Sequence, residues 1–168
     1  VRKHLLEYDD VLTRQRNAMY ARREELLGAG DENTILPAAK EIAEKAVQTA
    51  ENILPHIKDA REKKAREEKI KSAREKINAI PESIEQERAR ILAQSLVRII
   101  DSLWIDHLEA LESLRQSVGI RAYGQREPLV EYRKEAHILY QNLQRDFENL
   151  GANTVFAPNA PPQIRQVG

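Results

Sequence analysis

From Ile84 to Leu150 apolar residues recur every three or four positions, and the pattern breaks once, at SVGIRAYGQREPLVEY (117–132). Before the break the stripe runs through Leu92, Leu96, Ile99, Leu103, Leu111, Leu114 and Val118. After it come Leu129, Tyr132, Ala136, Leu139, Leu143, Phe147 and Leu150. A period near 3.6 makes each run one face of a long helix. Two long helices joined by a short loop are antiparallel neighbours. The chain is therefore expected to be all-α and elongated, with a helical hairpin over 87–150 and residues 119–128 at its tip.

The flanking segments follow the same rule. Leu5, Tyr8, Leu12, Gln15, Met19, Arg22 and Leu26 alternate steps of three and four, so residues 1–27 read as one long helix in which Gln15 and Arg22 interrupt the apolar seam. Gly28 is placed to end it with a left-handed cap. The periodicity starts almost at residue 1, so Val1 is expected to lie inside a longer helix of a larger protein. Residues 28–86 form a second unit. Thr34 or Asn33 can cap a helix lined by Ala39, Ile42, Ala43, Ala46 and Val47, which Pro55 stops or kinks. The stretch 58–76 then carries nine basic and five acidic residues in 19 positions, with only a thin apolar line of Ile70, Ala73, Ile77 and Ile80. A mostly solvated helix is expected there. Residues 151–168 contain three prolines and no periodicity, and are expected to form a mobile tail.

Composition removes several function classes. The chain has no cysteine, so disulfides and Cys-based zinc sites are excluded. Basic and acidic residues balance at 27 each, so no global field draws it to nucleic acid or anionic lipid. No apolar run reaches the ~18 residues of a membrane span. No glycine is followed by Lys-Ser or Lys-Thr, so no phosphate-cradling loop is present. His4, His56, His107 and His137 are far apart, and no cofactor is expected in the chain. His107 falls on an apolar face, where a hydrogen-bonded interhelical histidine is the favoured reading. The basic stretch is interleaved with acids and has no aromatic for base stacking, so no specific nucleic acid is expected.

Two aromatics stay open on chemistry alone. Trp104, the only Trp, suits either the hairpin core or a hot spot for a docked domain. Tyr123, between Arg121 and Arg126, suits either packing onto the helix ends or projection toward an external partner.

The stretches RKHLLEYDDVLTRQR (2–16) and DSLWIDHLEALESLRQSVGIRAYGQREPLVEYRKEA (101–136) resemble, in sequence and order, the C-terminal part of the SecA family of bacterial preprotein translocase motors. The resemblance covers residues 1–27 and about 95–148. It implies that 1–27 is the later part of a long scaffold helix, that 28–86 stands in the place of the helical wing, and that 87–150 is the two-helix finger. In the family the finger enters the cytoplasmic funnel of the SecY channel, and its tip tyrosine touches the unfolded preprotein. Tyr123 matches that tyrosine, with Arg121, Gly124, Gln125 and Arg126 shaping the tip. Tyr8, Trp104 and His107 are candidates for packing against other domains, the family's nucleotide-binding domains among them. ATP and Mg would belong to those motor domains. The expected location is cytoplasmic, peripheral at the inner face of the bacterial plasma membrane. Ala122, Ile120 and Glu127 stand where the family usually has Gly, Leu and Asp. The rival reading is a stand-alone helical protein–protein interaction module, bound through Trp104 or the 58–76 face.

Overall fold

The longest apolar stripe becomes the longest helix. In the computed structural model, which describes residues 2–29, 34–121 and 128–157, five α-helices follow one another: α1 (Arg2–Gly28), α2 (Ile35–Ile53), α3 (Ala60–Asn78), α4 (Gln86–Arg121) and α5 (Pro128–Phe156). A 3-10 turn, Leu54–His56, contains Pro55 and closes α2. The fold is all-α, and no strand occurs among the described residues. The 36 residues of α4 give it a length of about 54 Å at ~1.5 Å per residue.

Helices α4 and α5 lie antiparallel, and α1 packs along both of them. Gln15 meets His107 and Arg23 meets Asp101, so α1 runs antiparallel to α4. The wing is smaller. Helix α3 packs on α2, and α2 packs on the far end of α5. Asp59 starts α3 by accepting a 2.7 Å hydrogen bond from the Glu62 backbone N–H, which satisfies one of the four unpaired donors of a helix start. The C-terminal half of α3 contributes buried Ile77 and partly buried Ile70 and Ala73. Its N-terminal half is nearly all exposed. Arg74 grips Glu51 of α2 through both carboxylate oxygens, at 2.6 and 2.7 Å. Lys76 sits 5.5 Å above the Phe156 ring of α5.

The described residues form three apolar clusters. The largest, at the base, joins Met19 and Leu26 of α1, Ile35 and Ile42 of α2, Leu96 and Ile100 of α4, and Phe147 of α5. The wing cluster is made mainly of small residues: Ala43, Ala46, Val47, Ile77 and Ala152. A third lies toward the hairpin tip and contains Leu111, Leu114, Val118, Tyr132 and Ala136, with Tyr8, Val11 and Leu12 packed against it.

Four expectations are corrected. Gly28 remains helical, because the next amide, Ala29 N–H, continues the ladder to the Glu25 carbonyl at 2.9 Å. No glycine among the described residues has positive φ. Thr34 stands at the N-cap of α2 without a side-chain capping bond, and Asn33, the other candidate cap, lies outside the described residues. Helix α4 begins at Gln86 and runs through Gly119 and Ile120, positions expected in the tip loop, to Arg121. Helix α5 does not end at Gly151. It continues to Phe156, because Gly151, Ala152 and Thr154 are buried against the rest of the fold. An ideal Cβ on Gly151 would lie 2.8 Å from Ile42 Cγ2, so the missing side chain lets α5 approach α2.

Candidate functional site

The hairpin end offered by the sequence lies mostly outside the described residues. Tyr123, Gly124, Gln125 and Arg126 fall there, and Arg121 is the last residue of α4. What the structure describes is how that hairpin is held.

The central element is a buried polar junction between the tip-side and base clusters. Gln15 of α1 is 8% exposed and His107 of α4 is 4% exposed. Gln15 Oε1 lies 2.8 Å from His107 Nε2, and Gln15 Nε2 donates to the Ala136 carbonyl of α5 at 3.1 Å. One amide thus ties three helices together. With Gln15 Nε2 donating to a carbonyl, Oε1 is the acceptor, which places the imidazole proton on His107 Nε2. Burial pushes the His107 pKa below its ordinary value, since a charged imidazolium is disfavoured away from water.

Aromatic rings frame the junction. Trp104 is half-buried and tilts over His107 at 5.4 Å, and the Tyr140 ring lies 6.0 Å from His107. Toward the tip, Tyr8 meets Tyr132 edge-on at 4.6 Å. Burial raises the pKa of Tyr132 and of Tyr140, so both hydroxyls keep their protons. Nearer the base, Arg23 forms a two-bond pair with Asp101 at 2.7 and 3.2 Å. No buried side-chain polar atom among the described residues lacks a partner.

Of the residues singled out for packing, Tyr8 and His107 make contacts between α1 and the hairpin, and Trp104 borders the base core. Gln15 was legible only as an interruption. Its position in register between Leu12 and Met19 is the signal that the polar group is turned inward. Ala136 offered no such signal, because its contribution is a backbone carbonyl.

Among the described residues no group of three His, Asp or Glu side chains is placed to hold a metal, and no helix is long and apolar enough to cross a membrane.

Comparison with known proteins is consistent across the chain. A family model described as the SecA Wing and Scaffold domain matches residues 1–158. The protein translocase subunit SecA of Symbiobacterium thermophilum is 30% identical over 186 aligned residues, covering 88% of this chain and 21% of that protein. The SecA subunit of Heliobacterium modesticaldum is 33% identical, covering 85% of this chain and 20% of that protein. The SecA subunit of Dehalococcoides mccartyi is 34% identical, covering 95% and 20%. The chain spans about a fifth of the length of these curated relatives.

Proposed function

The chain belongs to the SecA Wing and Scaffold family, and on that premise we propose that it is the non-catalytic scaffold, wing and finger portion of an ATP-driven protein translocase. In this reading nucleotide turnover, with its ATP and Mg, takes place in motor domains elsewhere in the polypeptide. Helix α1 carries their movement, and the α4–α5 hairpin delivers it to an unfolded preprotein and the SecY channel. The working location is the cytoplasmic face of the plasma membrane.

The observation that supports this most is the Gln15–His107–Ala136 junction. A displacement or rotation of α1 cannot be absorbed by sliding along a uniform apolar seam, because a buried amide would lose its partners. Unpaired buried polar groups cost about 1–3 kcal/mol, so α1 and the hairpin are expected to move together. Within the hairpin, Tyr123, flanked by Arg121, Gly124, Gln125 and Arg126, is assigned the contact with substrate and channel. A tyrosine suits that role because its ring offers apolar area and its hydroxyl a hydrogen bond, neither tied to one sequence.

The test is a photo-crosslinking residue at position 123 in the complete motor. Capture of preprotein or of the channel subunit is expected during translocation. A motor that translocates normally while the probe labels neither would refute the assignment.

A further inference from the structure

A groove of 420 Å³ opens between α1 and α5. Arg14 and Asp10 line it from α1, 2.8 Å apart. Arg133, His137 and Tyr140 line it from α5, and Gln15 lies in its wall. Arg133 and His137 are exposed, and neither has a hydrogen-bond or ion-pair partner among the described residues.

We propose that this groove is a socket for a single carboxylate, presented by an acidic side chain of a polypeptide that docks along α1 and α5. Arg14, Arg133 and Asp10 together leave a net charge of one positive unit. One carboxylate balances that charge. A phosphate dianion would exceed it and would meet Asp10 at the rim. Arg133 offers the planar donor fork that matches a carboxylate, and it carries no competing partner.

The polar wall is fixed before any ligand arrives. Gln15 is held at both ends of its amide, by His107 and by the Ala136 carbonyl. The Ala136 bond uses one of its two amide hydrogens, so the second remains for an oxygen in the groove. Tyr140 supplies a hydroxyl, whose proton burial holds still more firmly. Ordered donors lose little freedom on binding. The groove is lined by α1 and the first turns of α5 and by none of the residues assigned to the tip, so the inference does not depend on the transport reading.

The test uses the full chain and proton–nitrogen correlation spectra that include the Gln15 side-chain amide and the His137 ring. The probe is the blocked tripeptide acetyl-Ala-Glu-Ala-amide. Saturable shifts at both groups are expected. Arg133→Gln, at an exposed site with no partner to lose, should bind about tenfold more weakly, the loss of one charge-assisted contact. Arg145→Gln, outside the groove, should bind as the parent does. Equal shifts with the Gln tripeptide, unchanged affinity in Arg133→Gln, or phosphate binding as tightly as the Glu tripeptide would each overturn the proposal. Acetate matching the tripeptide would assign the site to free carboxylates and overturn the docking role.

Discussion

Replacing Gln15 by leucine should destabilise the chain, and replacing His107 as well should recover most of the loss. The single change Gln15→Leu keeps the side chain's approximate volume but removes hydrogen bonds of 2.8 and 3.1 Å. It strands the Nε2–H of His107, a residue only 4% exposed, at a cost of about 1–3 kcal/mol. The Ala136 carbonyl suffers less, since it still accepts a bond within α5. His107→Leu alone strands Gln15 Oε1 at a similar cost. With both replaced, neither orphan exists and two apolar groups face each other, so the double variant should lie within about 1 kcal/mol of the parent. Thermal or urea unfolding of the four proteins gives the coupling directly. For a chain of this size each kcal/mol moves the melting temperature by about 2–4 °C. The coupling, the two single costs less that of the double change, should be about 2–6 kcal/mol, and single effects that add to within ~0.5 kcal/mol would show that the two residues act independently.

Two further outcomes follow from buried groups. The His107 pKa is lowered by burial, so its unfolded form binds a proton more readily than the folded one. Stability from this residue is therefore fully present above the unfolded value of about 6.5 and is lost as pH falls through and below it; melts from pH 8 to 5 should show the decline, and His107→Leu should flatten that part of the curve. Gly151→Ala forces a Cβ to 2.8 Å from the locked Ile42 side chain, an overpacking cost of about 1–3 kcal/mol against a helix-propensity gain of ~1. Gly28→Ala meets nothing within 4 Å, so calorimetry should find Gly151→Ala melting lower than the parent and Gly28→Ala no lower.

Periodicity carried most of the architecture. The spacing of Leu92, Leu96, Ile99, Leu111 and Leu114 is a property of one strand of sequence, and a 3.6-residue repeat dictates both helix and buried face without knowledge of the partner. The solvated character of α3 was legible for the same reason, since its apolar line is too thin to bury more than one edge. The LLEYDDV and YGQREPLVEY stretches further pointed to the family, which the match over residues 1–158 bears out. Helix ends were read less well. Gly151 looked like a terminus because glycine is a poor helix former, yet burial against Ile42 and Leu96 outweighs its ~1 kcal/mol propensity deficit.

What only the tertiary structure decided is which polar groups are inside. In sequence, Gln15 is a flaw in the α1 seam and His107 an ambiguous member of the α4 stripe. They are 92 positions apart, and the carbonyl that completes their junction is 121 positions from Gln15. Hydrophobic pattern is written locally, residue by residue along one helix. A buried hydrogen bond is a pairwise relation between helices, and it exists only once three of them have packed at a particular rotation and register.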